Sequence, residues 1–443
     1  MRRLVCLDGL RGVLAFYVML SHTLPFAPLP HWLHWMFQHG GAGVDVFFIL
    51  SGLVIVQSLA SFEYQPLPFL IARVARIYPV FLVVFAFAIV VQPLATSFED
   101  MAWIGPESGA RYLWAGGWPS NWGIGIATHL TMTHGLFPDG VLPGAWVAFL
   151  GTAWSLSTEW QFYVLALLLG RRLGLVRMAA LFLVLAAASV VWQAATPEAW
   201  QFSRAFLPNK AQYFALGVVS AIVVREAPGA LRLYTAVLAG VLALCLVRGG
   251  VDKLLPPLIW TACLAAQLWS SPQRTGQPGA RVLAFAQRTT GWLAALLQSR
   301  PMVWLGAVSY SIYLVHEPVQ RLLGIALASL VRGNAPLFTA LWIPGAVVLP
   351  VLAAWWLHVR VEVPGQRYGR GMARAFINVG RTSSTAAPGL HEGLWTRSAS
   401  AASPLAVRLS ALAHRTRSAS QSPPPPTPDK LDHRWPPATR RPV

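Results

Sequence analysis

Arg11 and His22 stand at the two ends of RGVLAFYVMLSH, a stretch that is otherwise almost wholly apolar. Eleven helical steps turn roughly 1100°, about 20° past three full turns, so the two side chains share a face about 16 Å apart along the axis. A guanidinium fork suits phosphates and carboxylates, and a neutral imidazole takes up a proton near neutral pH. The pair can therefore serve one path, an anion holder at one end and a proton acceptor further along. In the plain alternative, Arg11 marks a membrane edge and His22 bonds to a neighbour. Two further ionisable residues interrupt apolar runs at comparable depth. Glu159 lies twelve residues, roughly 18 Å, before Arg171, and His316 is as far into its own run. Three such groups from three different segments point to a polar cavity, because ionisable side chains in lipid are costly and default to functional candidates. Ser155 sits one turn before Glu159. Ser309, Tyr313 and His316 follow i, i+4, i+7 spacing and make one polar stripe, which lines a path or bonds helix to helix. Asp45, in GVDVFF, is a further candidate for the cavity wall or for a pair with another helix.

The elements that must position these groups are membrane helices. Of 443 residues, 55% are hydrophobic and only 11% charged, against about 25% charged in soluble domains. Runs long enough for a bilayer core of about 30 Å occur near 12–30, 43–60, 77–95, 145–169, 178–195, 211–224, 233–248, 254–271, 303–325 and 337–358. The fold class expected is an all-α polytopic membrane protein of about ten transmembrane helices. VLAFAQRTTGWLAALLQS (282–299) reads as a possible additional interfacial helix, and NWGIGIATHLTMTHGLF (121–137) as a segment that can dip into the membrane. The net charge of +18 does not point to nucleic acid, because the arginines cluster between apolar runs. Arg73, Arg76, Arg171, Arg172, Arg177, Arg225, Arg232, Arg300 and Arg360 fall on one side of an alternating topology and far fewer on the other. That bias places both ends of the membrane domain in the cytoplasm. Residues 1–370 form the membrane domain, and 371–443, rich in Ser, Ala, Arg and Pro, read as a disordered cytoplasmic tail. Cys6, Cys245 and Cys263 have no framework spacing and are expected to be inert. His31 and His34 are three apart, but no carboxylate or cysteine accompanies them and Trp32 and Trp35 read as an interfacial belt, so no metal site is expected.

Seven motifs then occur in order: LDGLRGVLAFYVMLSH (7–22), GVDVFFILSGLVI (43–55), FLIARVARIYPVF (69–81), HLTMTHGL (129–136), AWSLSTEWQFY (153–163), WLGAVSYSIYLVHEPV (304–319) and VEVP (361–364). From about residue 4 to 365 the chain resembles the family-3 membrane acyltransferases, bacterial enzymes that O-acylate sugars, antibiotics and envelope polymers. The resemblance implies a multi-pass inner-membrane enzyme that moves an acyl group, commonly acetyl, from cytoplasmic acyl-CoA to a hydroxyl of a carbohydrate or glycan-like acceptor. Acyl-CoA is then a substrate, and no permanently bound cofactor is implied. In the family, the arginine and histidine of the first span are the residues most associated with activity. On that footing His22 acts as general base or as a transient acyl carrier. Arg73 and Arg76, three apart on one helix face, hold the CoA phosphates together with Arg11. Glu159 orients His22 or binds an acceptor hydroxyl. His129 and His134 belong to the pattern without an assigned role.

Acceptor choice is expected in the loops of 96–144, where Trp103, Tyr112, Trp114, Trp118 and Trp122 can stack on sugar rings. Some relatives append an esterase-like soluble domain. This chain continues instead into its low-complexity tail, so delivery is expected to be direct or helped by a separate envelope protein. Membrane lipid, acyl-CoA and a glycan are the partners expected. The other function class that fits is a proton-coupled transporter with His22, Glu159 and His316 as a relay. A third is a membrane sensor or anchor that recruits a partner through its basic tail.

Overall fold

The computed structural model describes residues 4–94, 98–114, 117–269 and 290–385, and the compact unit within it extends to Val379. Among the described residues the long apolar runs fold as α-helices, the form that satisfies each backbone N–H and C=O within one segment when no water is at hand. In chain order the helices are α1 (Val5–Thr23), α2 (His31–Phe37), α3 (Gly40–Ser61), α4 (Pro66–Val91), α5 (Gly109–Leu113), α6 (Trp122–Leu130) and α7 (Trp154–Ala195). They continue with α8 (Ala211–Val224), α9 (Ala230–Val247), α10 (Leu255–Trp269), α11 (Arg300–Val331), α12 (Ala335–Leu357) and α13 (Val363–Thr385). Among the described residues there is no strand, only an isolated bridge between Pro138 and Phe202.

Seven described helical segments are long and apolar enough to cross a membrane, rather than the ten runs read from sequence. The difference has a local cause. Two expected runs, 145–169 and 178–195, fold as the two helical arms of α7, which part at Gly174 (φ 69°, ψ 169°) just after Arg171 and Arg172, so one counted segment holds both. Two others, α8 with 14 residues and α10 with 15, are shorter than a straight crossing requires. Helix α13 runs past residue 370, where the tail was placed; residues 386–443 and most of the interfacial helix expected at 282–299 lie outside the described residues.

Helix α1 packs against α11 and α3, α3 against α8 and α7, and α11 against α12 and α4. Small residues set the closest approaches, as is common where helices pack without a hydrophobic drive between them. A Cβ on Gly306 would lie 2.0 Å from the carbonyl oxygen of Asp8, and one on Gly217 would lie 2.0 Å from that of Ile49. The first contact locks α1 to α11. The helices run parallel, since Asp8 meets Gly306 at one end while the Gln320 amide donates to Thr23 Oγ1 (2.8 Å) at the other. Beyond that end Phe26 stacks on Trp114, ring centres 3.6 Å apart, and both meet Trp342. Between α12 and α13 the backbone winds as a π-helix, His358–Glu362, a deviation that often marks functional positions.

Candidate functional site

The parallel lock of α1 on α11 brings His22 to His316. Nδ1 of His22 lies 2.9 Å from Nε2 of His316, and Nδ1 of His316 lies 3.0 Å from the carbonyl oxygen of Ile312. A carbonyl only accepts, so Nδ1 of His316 carries the hydrogen. With both rings neutral, Nε2 of His316 is then the acceptor and His22 donates through Nδ1. The assignment follows from the bonding network. It leaves the lone pair of His22 on Nε2. His316 is fully buried, whereas His22 is half-buried and lines a cavity of about 610 Å³, here called the histidine cavity.

A narrower space of about 80 Å³, the middle cavity, adjoins it: Tyr313 and Val44 line both. Ser155 Oγ and the Tyr313 hydroxyl bond at 2.8 Å across this boundary. Ser155, Ser309, Tyr313, Arg11 and Glu159 all line the middle cavity. Glu159 Oε1 accepts from Ser51 Oγ at 2.7 Å and from the Tyr163 hydroxyl at 2.5 Å. Glu159 thus stands one cavity away from the imidazole it was expected to orient, and the ring bonded to His22 is that of His316. Asp45 lines none of the cavities described here. Its carboxylate accepts from Lys210 Nζ at 2.6 Å, a buried pair that ties α3 to the start of α8.

The third space, the arginine cavity of about 320 Å³, is lined by Arg73, Arg76, Arg370, Gln366 and Ser58 among others. Arg76 lines both this cavity and the middle one. Arg73 donates to Ser58 Oγ at 3.0 Å and lies over the Phe69 and Tyr163 rings. Arg11 keeps a buried Nε without a partner. Four cations, Arg11, Arg73, Arg76 and Arg370, therefore gather at one end of a track that has His22 at the other. Glu362 steadies that end, accepting from Ser311 (3.0 Å), His358 (2.9 Å) and Gln366 (2.9 Å). The VEVP motif contained it, but nothing in the spacing alone showed that a carboxylate beside a helix start would hold three partners.

At the opposite end, the walls of the histidine cavity carry Trp146, Trp154, Arg204, Glu317 and Arg321. Trp103, Trp114, Trp118 and Trp122, expected from 96–144, are not among its lining residues, although Leu113, Pro119 and Pro143 of that stretch are. Trp114 is buried against Phe26, Trp103 donates to the Phe26 carbonyl, and Trp118 packs on Trp122 and Phe149. Glu317 accepts from the backbone N–H of Gly151 (3.2 Å) and Thr152 (2.9 Å) at the start of the α7 segment, a favourable place for a carboxylate. His129 and His134 stack at 4.0 Å and bond to backbone carbonyls of Gly125 and Ala153. They fasten the loop that covers the cavity. Among the described residues no group of three or more His, Cys, Asp or Glu is arranged to hold a metal.

The family Acyl_transf_3, described as an acyltransferase domain, matches residues 4–359. A protein of Komagataeibacter xylinus named as a membrane-bound transacylase, BcsY, is 26% identical over 322 residues, which cover 70% of this chain and 72% of that protein. No solved structure matches the chain. The match spans every motif from Arg11 through Glu159 to His316, and with its apolar helices the chain is a multi-pass membrane protein that belongs to the acyltransferase family 3.

Proposed function

We propose that the protein is a membrane O-acyltransferase that uses acyl-CoA on the cytoplasmic side and a carbohydrate hydroxyl in the histidine cavity. The observation that carries this is the bonded chain His22–His316–Ile312, which leaves a basic nitrogen on the wall of a large cavity contiguous, through Tyr313 and Arg76, with a cluster of arginines. In this reading both ends of the membrane domain face the cytoplasm of a bacterial inner membrane, and the arginine cavity opens there. Arg73, Arg76 and Arg11 hold the phosphates of the donor by charge-assisted hydrogen bonds. The thioester end reaches along the middle cavity, whose small volume has room for only a few water-sized groups. That favours a short acyl group such as acetyl.

Transfer then runs as follows. Nε2 of His22 takes the proton of the acceptor hydroxyl while its oxygen attacks the thioester carbonyl. The charge that develops on the ring is shared through Nδ1–H with His316. The Tyr313 hydroxyl, on the boundary of the two cavities, is the donor placed for the tetrahedral oxyanion. The carbon–oxygen ester bond forms, the carbon–sulfur bond breaks, and the proton held on His22 leaves with the CoA sulfur. Of the transporter relay, His22 and His316 are bonded to each other, but the hydrogen bonds to Glu159 come from Ser51 and Tyr163 rather than from either histidine, which disfavours a three-membered relay.

The direct test is mass spectrometry of envelope and secreted glycans from cells carrying the wild-type protein, His22→Ala, or neither. An acyl-sized mass increment present only with the wild type, while the variant still reaches the membrane, is the expected result and names the acyl group. Three identical profiles would sink the reading.

A further inference from the structure

Arg204 has an unusual setting for a charged side chain. It lines the histidine cavity with His22 and is exposed. Among the described residues it makes no hydrogen bond and no ion pair. Its guanidinium lies over Trp146 at 5.3 Å and Trp154 at 5.8 Å from the ring centres. Such stacking fixes the plane of the fork while leaving its N–H edge free. The backbone that carries it is also fixed. The Ala205 carbonyl accepts from Thr158 Oγ1 at 2.9 Å and from Gln161 at 3.0 Å, and Leu207 N–H donates to Gln161 Oε1 at 2.9 Å. A Cβ on Gly135 would come within 2.6 Å of the Ala205 carbonyl oxygen, so the covering loop presses on the same point.

The other charges on this cavity are already engaged. Glu317 is held by two backbone N–H groups, and Arg321 donates to the carbonyls of Gln92 (3.0 Å) and Leu94 (2.8 Å). Nearby Lys210 is paired with Asp45. Among its described lining residues the cavity therefore presents one cation with neither hydrogen bond nor ion pair, with two indoles beside it and His22 in the same lining. We infer that the histidine cavity takes an anionic saccharide: Arg204 clamps a carboxylate or phosphate of the acceptor while Trp146 stacks on its ring, and a neighbouring hydroxyl is thereby offered to His22. This deepens the acyl-transfer reading and rests on it for the word acceptor. The anion site itself rests on Arg204 and the two tryptophans.

The experiment measures binding apart from turnover. His22→Ala protein in lipid nanodiscs is titrated calorimetrically with methyl glucoside, methyl glucuronide and glucose 1-phosphate, with and without the added change Arg204→Gln, which preserves a planar polar end. The expected result is that one or both anionic sugars bind about tenfold or more tighter than the neutral one, and that Arg204→Gln removes the difference without lowering the melting temperature. The two anionic arms tell a carboxylate from a phosphate. Equal affinity for charged and neutral sugars, no saccharide binding at all, or an anion preference that survives Arg204→Gln overturns the inference. So does wild-type turnover that depends on Arg204 only when the donor is succinyl-CoA, which would assign the arginine to the acyl group. Anion binding through Arg204 with no acyl transfer to any acceptor would leave the site standing and remove the acyltransferase reading instead.

Discussion

His22 and His316 share one hydrogen bond, Nδ1 to Nε2 at 2.9 Å, and the far nitrogen of His316 is spoken for by the Ile312 carbonyl at 3.0 Å. His316 thus meets His22 as a fixed acceptor that orients its ring, and in the proposed acyl transfer it steadies the charge that ring gains. Removing the base, His22→Ala, is expected to lower kcat by about 10²–10⁴. His316→Ala should cost about ten- to a hundredfold, the range seen when the outer partner of a working imidazole is lost. His316→Gln, which still offers a carbonyl oxygen, should recover part of it. The double variant should be no slower than His22→Ala alone, since the two act as a unit. Acyl-CoA-dependent thiol release in membranes reads all four.

The two donor-side arginines should separate in kinetics. Arg73 is held by Ser58 and two aromatic rings, whereas Arg76 makes no hydrogen bond among the described residues and lines two cavities. Arg76→Ala should therefore raise KM for acyl-CoA about tenfold or more, the worth of a charge-assisted hydrogen bond, with a smaller effect on kcat. Arg73→Ala should also lower the melting temperature. A KM unchanged in both variants would remove the arginine cavity from donor binding.

Glu159 offers a test of charge against hydrogen bonding. Glu159→Ala strands the buried Tyr163 hydroxyl, at about 1–3 kcal/mol. Glu159→Gln keeps an oxygen for Tyr163 and Ser51 and should melt near the wild type. Because Arg11 and Arg76 line the same cavity, both variants should lose activity, Gln by about tenfold. A fully active Glu159→Gln would make this carboxylate purely structural.

Asp45 and Lys210 make a buried pair whose partners fail singly. Asp45→Asn leaves the ammonium uncompensated and should destabilise the protein by about 3–5 kcal/mol, seen as early unfolding in detergent. Asp45→Leu with Lys210→Met, which removes both charges, should come back close to the wild type. If the double variant is as fragile as the single one, the pair has a role beyond balancing its own charges.

The contrast between Asp45 and Glu159 shows what the sequence revealed and what it concealed. The helical class, the shared face of Arg11 and His22, and the Ser309–Tyr313–His316 stripe were legible because helical periodicity and an apolar background expose each polar side chain. Depth counted from the ends of their apolar runs puts His22, Glu159 and His316 at similar levels, yet depth carries no lateral position. The neighbours of α1 are set by glycine contacts such as Gly12 on Gly306, so His316 came to His22 and Glu159 went to Ser51 and Tyr163. The runs 145–169 and 178–195 were legible as two arms that part at Gly174, whereas α8 and α10, at 14 and 15 residues, are shorter than the run lengths alone suggested. Arg204, Trp146 and Trp154 escaped notice for a different reason. They sit where loops meet helix starts, where no period advertises which side chains will face a common space.

The Tyr313–Ser155 bond has a meaning beyond the placement of substrates. The proposed track from arginines to histidines runs along the helices of a membrane protein, and across a membrane each elementary charge carries about 2.3 kcal/mol per 100 mV. An unobstructed bore of that length would be a leak. In the acyl-transfer reading, the narrow middle segment, where a phenol and a serine hydroxyl bond at 2.8 Å, has to serve as a seal as well as a passage. Tyr313→Ala should therefore do more than slow acyl transfer. It should let protons run down an imposed pH gradient in proteoliposomes carrying a trapped dye, faster than the wild type or the inactive His22→Ala. The same side chain would then answer to two demands, letting one acyl group by and holding the membrane's voltage.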